Sequence, residues 1–279
     1  MGQGHAFRVT ACRFIAGVQC HQNSPVTELR FLDRPNGEHL AYRHFAAESE
    51  APTLVFLPGY MSDMDGGKAG AVFDWAQGEG RACLLLDYAG CGSSGSAFTD
   101  QTLDDWRDDV VFLIEQLVDG PVILVGSSMG GWLMLLVALR LGTRVAGLVG
   151  IAAAPDFTDW GFSDADKATI RATGRLEEAT PYSDEPYVTT RGFFDSGEAN
   201  RVLGDSIAID CPVRLLHGQR DADVPWDVSL RLADRLRSDD VQVVLVKDGD
   251  HRLSRERDIA LLLATLARLV APIEGPRTP

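Results

Sequence analysis

Two hydrophobic patterns divide this chain. Near its beginning, Thr27-Glu28-Leu29-Arg30-Phe31-Leu32 and His39-Leu40-Ala41-Tyr42-Arg43-His44-Phe45 alternate apolar with polar positions, and between them lies Asp33-Arg34-Pro35-Asn36-Gly37. Period-two alternation gives a strand one covered and one wet face, and a Pro-Asn-Gly cluster favours a turn, so this region predicts an antiparallel β-hairpin. From residue 53 the pattern becomes short and almost continuously apolar, at residues 53–57, 82–86, 122–125, 145–151, 213–216 and 241–246. Runs of this kind suit strands covered on both faces. Helix-like stretches occupy the intervals, at residues 68–77, 103–118, 129–141, 228–237 and 255–269. Strand and helix in alternation predict an α/β fold: a mainly parallel central sheet, helices on both faces, and the N-terminal hairpin as an antiparallel edge.

Residues 156–206 break this rhythm. They set Phe157, Trp160, Phe162, Tyr182, Tyr187, Phe193 and Phe194 among charged residues. A connection of that length is more often functional than slack, which predicts a short lid whose aromatic side chains line a pocket. The expected organisation is a poorly ordered tail at 1–24, a core made of 25–155 and 207–279, and a lid insertion at 156–206.

Composition narrows the partners. A chain of 279 residues with 45% apolar content buries a large core despite a formal net charge of −14. That charge repels polyanions, which argues against nucleic acid and anionic membrane surfaces. No apolar run approaches the roughly twenty residues of a membrane span. The five cysteines (Cys12, Cys20, Cys83, Cys91 and Cys211) are scattered and lack metal-ligand spacing, which favours a reducing, cytoplasmic setting. Residues 1–24 contain Arg8 and Arg13 and no acidic residue, so a mitochondrial leader is the alternative reading of the tail.

The chemistry centres on Gly126-Ser127-Ser128-Met129-Gly130. The apolar run ending at Val125 precedes this pentapeptide and a helical pattern begins at Met129, which supplies the strand, sharp turn and helix of a nucleophile elbow. Glycines two residues to either side of Ser128 leave room for the turn that exposes its hydroxyl. Ser127 does not fit, because its equivalent flanks are Val125 and Met129. The glycine cluster Gly90-Cys91-Gly92-Ser93-Ser94-Gly95 lacks that symmetry and reads as a loop beside the site.

A serine hydroxyl needs an imidazole to take its proton and a carboxylate to orient the imidazole. Only His251 lies after a late strand and before the last helix; His5 and His21 are in the tail, and His39 and His44 are in the hairpin. The acid belongs in the loop after the preceding strand, where Asp221 comes first; Asp223 in the same loop and Asp156 after the earlier strand are weaker candidates. His217 beside Asp221 could pass for a metal pair, but no further ligands stand at suitable spacing, so no metal is expected. Two backbone amides are expected to form an oxyanion hole: that of Met129, and that of Tyr60 in Phe56-Leu57-Pro58-Gly59-Tyr60-Met61.

With these residues placed, the chain resembles the α/β-hydrolases over residues 25–272. Leu57-Pro58-Gly59-Tyr60-Met61-Ser62-Asp63-Met64, Gly126-Ser127-Ser128-Met129-Gly130-Gly131-Trp132, His217-Gly218-Gln219-Arg220-Asp221 and Asp248-Gly249-Asp250-His251-Arg252-Leu253-Ser254 are more narrowly similar to the mitochondrial depalmitoylating abhydrolases and their bacterial relatives. Pro58-Gly59 departs from the His-Gly commoner across the superfamily, and this departure bears on the second oxyanion donor. The resemblance implies hydrolysis of acyl esters or thioesters through an acyl-enzyme, without a cofactor. Serine peptidases and carbon–carbon bond hydrolases use the same triad and are the enzymatic alternatives. Dehalogenases and epoxide hydrolases are disfavoured because they place Asp where Ser128 stands, and a non-catalytic binding protein of this fold is the remaining alternative.

Overall fold

A computed structural model describes residues 28–49, 51–180 and 186–271; the tail and Tyr182 lie outside the described residues. The hairpin forms from β1 (Arg30–Asp33) and β2 (His39–Phe45), which pair antiparallel with Phe31 opposite Ala41. The chain then alternates through β3 (Thr53–Leu57), α1 (Gly67–Gly78), β4 (Cys83–Leu86), α2 (Leu103–Leu117), β5 (Val122–Ser127), α3 (Met129–Leu141) and β6 (Val145–Ile151). After the inserted segment follow β9 (Val213–Gly218), α7 (Asp227–Arg235), β10 (Val241–Val246) and α8 (Glu256–Val270).

Eight strands form one sheet in the order β1-β2-β4-β3-β5-β6-β9-β10, antiparallel at β1-β2 and β2-β4 and parallel elsewhere. The strand order reverses at β3, whose neighbours β4 and β5 both follow it in sequence. In open α/β sheets the crevice at the carboxyl ends of strands beside such a reversal is where ligands bind. The loops after β3 and β5 both open there.

Burial explains the continuous apolar runs. Every residue of β3, β4 and β5 is buried, because α1 and α8 cover one face of the sheet while α2, α3 and α7 cover the other. The first ten residues of α3, Met129 to Ala138, are all buried, so this helix shows no polar face. Helix α7 ends at Arg235, two residues before the sequence pattern does. Leu236 turns extended and bridges Ile207 in parallel fashion, with the Arg237 amide donating to the Ile207 carbonyl at 3.0 Å. A tertiary contact overrides local helix preference here.

The inserted segment has its own secondary structure. It contains α4 (Phe157–Trp160), α5 (Asp164–Thr173), the antiparallel pair β7 (Arg175–Glu178) and β8 (Tyr187–Thr190), and α6 (Arg191–Ala199). Asp156, in a left-handed conformation at the start of this segment, accepts hydrogen bonds from the amides of Val202 and Leu203, both at 2.8 Å. One carboxylate thus ties the entry of the insertion to its exit.

A buried ion pair joins the hairpin to the core. Asp109 of α2 is fully buried and accepts from Arg34 at 2.5 Å and from the Ala89 amide at 2.8 Å. Burial pushes its carboxyl up to about 6, against the opposing effects of the Ala89 amide and Arg34. In the unfolded chain the same group titrates near 4, so the unfolded state loses its proton first as pH rises. The stability that Asp109 contributes is therefore complete below about pH 4 and is lost as pH climbs through about 6. Thermal melts of the parent and of Asp109→Asn between pH 4 and 7 should show the parent losing ground to the variant across that window; a constant difference would contradict this.

Candidate active site

Ser128 sits between β5 and α3 with φ 54° and ψ −119°. A non-glycine residue in this region is strained, and strain of this kind persists only where the surroundings fix it. The flanking glycines provide the fixing contacts. A Cβ at Gly126 would lie 2.3 Å from the Gly130 carbonyl oxygen, and one at Gly130 would lie 2.1 Å from the Leu57 oxygen and 2.4 Å from the Pro58 oxygen. The turn closes only because both side chains are absent. Ser128 thus stands on a sharp strand-to-helix turn, with β5 running to Ser127, two residues further than its apolar run.

The structure brings His251 and Asp221 to this serine. His251 Nε2 lies 3.1 Å from Ser128 Oγ, and its Nδ1 lies 2.8 Å from Asp221 Oδ2. A ring nitrogen facing a carboxylate carries the proton, which leaves Nε2 as the acceptor for the serine hydroxyl. The loops that carry the two residues are bonded to each other, since the Arg220 amide donates to the Gly249 carbonyl at 2.8 Å. A Cβ at Gly218 would meet the Gly249 carbonyl carbon at 2.4 Å, so the two backbones touch without an intervening side chain.

The side chain of Asp221 is wholly buried and accepts four hydrogen bonds. Oδ1 takes the amides of Asp223 at 2.9 Å and Val224 at 2.8 Å, while Oδ2 faces His251 and, at 3.1 Å, His217 Nε2. Burial pushes the carboxyl up, but the bonds from His217, His251 and the Val224 amide together hold it well below the usual carboxylate range. Of the weaker candidates, Asp223 donates its amide to Asp221, and Asp156 is engaged with the exit of the insertion.

Met129 and Tyr60 both line the cavity beside Ser128. Met129 is the first residue of α3, so its amide belongs to the helix-terminal donors that have no acceptor within the helix. The Tyr60 side chain has a separate task. Its ring packs against Phe98, Trp106, Phe157, Tyr187 and Phe193 with centroids 5.0–6.1 Å apart, and its hydroxyl donates to the Val188 carbonyl at 2.6 Å. Burial pushes that phenol well above its ordinary range. Tyr60 therefore fastens the insertion over the loop that carries its own amide.

The cavity measures about 400 Å³. Phe157, Trp160, Phe162 and Tyr187 of the insertion wall one side of it, and Ser62, Lys68, Arg252 and Ser254 contribute polar groups. Lys68 Nζ donates to the Arg252 carbonyl at 2.6 Å, and burial, with Arg252 nearby, draws its ammonium down to about 8. Two other aromatic residues expected to line the pocket behave differently: Phe193 is buried between the insertion and the core, against Tyr60 and Trp106, and Phe194 is buried within the insertion against Phe162.

Among the described residues, one set of metal-type donors, from Asp221, Asp223 and His251, lies within 4.8 Å. Both Asp221 oxygens and both His251 nitrogens are already committed to hydrogen bonds, so the set reads as a hydrogen-bonded relay. His217, weighed in the sequence only as half of a metal pair, instead bonds Asp221 directly. The other half of its environment, Ser229 Oγ at 2.7 Å from Nδ1, carried no signal in the sequence.

Comparison with known proteins identifies the fold and the family. The model of the alpha/beta hydrolase family matches residues 54–272. The chain is 41% identical over 248 residues to the human protein named palmitoyl-protein thioesterase ABHD10, mitochondrial, covering 88% of this chain and 80% of that one. The solved structure of alpha/beta hydrolase domain-containing protein 10 from mouse superposes with a TM-score of 0.82 at 38% identity, over 88% of this chain and 99% of that one. A solved protein from Agrobacterium vitis S4 does so with a TM-score of 0.82 at 37% identity, over 87% and 98%. By fold, family model and these relatives together, the chain belongs to the alpha/beta hydrolase family.

Proposed function

We propose that this hydrolase cleaves carboxylic ester or thioester bonds of acyl substrates through an acyl-enzyme on Ser128. The observation that carries this reading is the continuous relay from Ser128 through His251 to Asp221, at 3.1 and 2.8 Å, opening on a cavity walled by aromatic side chains. His251 takes the proton of Ser128 as the hydroxyl attacks the acyl carbonyl, and Asp221 stabilises the imidazolium so formed. The amides of Met129 and Tyr60 receive the negative charge of the tetrahedral intermediate. His251 then returns the proton to the leaving thiol or alcohol. Water, activated by the same imidazole, repeats the attack and releases the acid.

The insertion acts as the lid, and its aromatic wall holds the acyl chain. A volume of about 400 Å³ falls within the range of roughly 300–1,000 Å³ usual for small-molecule pockets. Because a human relative is named a palmitoyl-protein thioesterase, an S-acylated substrate is the favoured form. The mitochondrial designation of that relative also favours the mitochondrial location over the cytoplasmic one.

A substrate panel tests the reading. Acyl thioesters and p-nitrophenyl esters should turn over and unactivated peptides should not, while a fluorophosphonate probe should label the protein at Ser128. Turnover confined to peptides, or to carbon–carbon bonds, would refute it.

A further inference from the structure

A second imidazole stands behind the relay. His217 lies in β9 with its side chain fully buried, and the proposed mechanism gives it no task. Its Nε2 faces two acceptors at 3.1 Å, Asp221 Oδ2 and the Val224 carbonyl. A nitrogen between two acceptors must carry the proton, so Nε2–H donates to both. Nδ1 then has a lone pair, and the hydroxyl of Ser229 in α7 donates to it at 2.7 Å. The ring is thereby held in one tautomer from both ends.

Asp221 Oδ2 consequently serves two imidazoles at once, His251 at 2.8 Å and His217 at 3.1 Å. With the two amides on Oδ1, all of the roughly four acceptor positions of a carboxylate are filled. We infer that His217 is a positioning residue that acts through Asp221: it locks the carboxylate in the plane His251 requires and draws off part of its negative charge. This inference rests on the proposed Ser128–His251–Asp221 relay. A carboxylate already engaged by one N–H attracts a neighbouring imidazolium less strongly, so removing that N–H should strengthen the pull of Asp221 on the imidazolium formed at His251 and raise the acid limb of the rate profile.

Other charged groups face the relay. Asp223 is on the same loop as Asp221, Asp250 and Arg252 flank His251, Lys68 comes from α1, Asp63 from the loop before it, and Glu178 from β7. None of these is altered by substitution at 217 or 229, so their fields cancel when variants are compared with the parent.

The test is the pH profile of kcat/KM for a p-nitrophenyl ester, measured on the full chain for the parent, His217→Leu, His217→Gln, Ser229→Ala and Ser128→Ala, with thermal midpoints alongside. In His217→Leu the acid limb should move up by about one pH unit, the worth of one hydrogen bond to a charged group. His217→Gln keeps an N–H directed at Asp221 and should bring the limb back toward the parent. Ser229→Ala removes the bond that holds the far end of the ring at Nδ1, loosening the Nε2–H on Asp221, and should move the limb up by a smaller amount, which also serves if His217→Leu does not fold. An acid limb that coincides with the parent's in His217→Leu or, failing that, in Ser229→Ala overturns the inference, whatever happens to stability. The Ser128→Ala arm separates the two failures. If it is inactive while the limbs stay put, only the role of His217 falls; if it retains activity, the relay itself is wrong.

Discussion

Ser128→Ala should lower kcat for ester hydrolysis by about 10⁵-fold, the scale on which removing a nucleophile acts when the other members of its triad depend on it. Little else should change. The substitution deletes one oxygen whose recorded partner is His251 Nε2 at 3.1 Å, and alanine meets the same backbone strain at φ 54° that serine does. The thermal midpoint should hold or rise slightly, because an active-site residue is selected for chemistry at some expense to stability. Activity measured on the purified variant decides the matter: turnover above about a hundredth of the parent's would exclude Ser128 as the nucleophile, since the residual effect of the oxyanion donors alone is only about 10³ over water. A variant that loses activity together with its thermal midpoint would instead mean that the elbow needs the hydroxyl for its shape. That outcome is not expected from a side chain whose flanking glycines make the critical contacts.

The parts of this molecule legible in the sequence are those that local physics dictates. Strand β3 and helix α3 fall at the residues their apolar patterns mark, because full burial leaves no polar position to blur the pattern. Ser128 was legible through Gly126 and Gly130, whose smallness is a local demand. Asp221 and His251 were legible through their order along the chain and their places after late strands. The segment at 156–206 stood out by its length, but the strands inside it did not: β7 reads Arg-Leu-Glu-Glu with three exposed residues, so no apolar alternation announces it. Helix α5 did carry a signal, the Ser163 and Asp166 capping box, in which each side chain bonds the other's backbone amide. The roles of His217 and of the Tyr60 hydroxyl lay beyond local reading. Tyr60 bonds a carbonyl 128 residues away, and His217 acquires its meaning only when β10 brings His251 to the far side of Asp221.

Gly130→Ala should be the most damaging added methyl among the described glycines, with the shortest contact to backbone. The added Cβ would lie 2.1 Å from the Leu57 carbonyl oxygen and 2.4 Å from that of Pro58, both backbone atoms that cannot rotate out of the way. Leu57 is the last residue of β3, and the Pro58 carbonyl is also held by the Tyr88 hydroxyl at 2.9 Å. Relief therefore requires the end of β3 to part from the start of α3. Overpacking and strain of this severity cost roughly 2–4 kcal/mol, which for a domain of this size lowers the thermal midpoint by roughly 5–15 °C. Activity should fall further than stability, because the same displacement separates the amide of Tyr60, in the loop after β3, from that of Met129 at the start of α3. Gly70→Ala supplies the control. A Cβ there meets nothing within 4 Å, and alanine in the interior of α1 is worth up to about 1 kcal/mol over glycine, so that variant should be active and no less stable than the parent. Calorimetry and ester hydrolysis on the pair read both effects at once, and a Gly130→Ala protein with the parent's midpoint would mean that β3 and α3 are not in the contact that shapes this site.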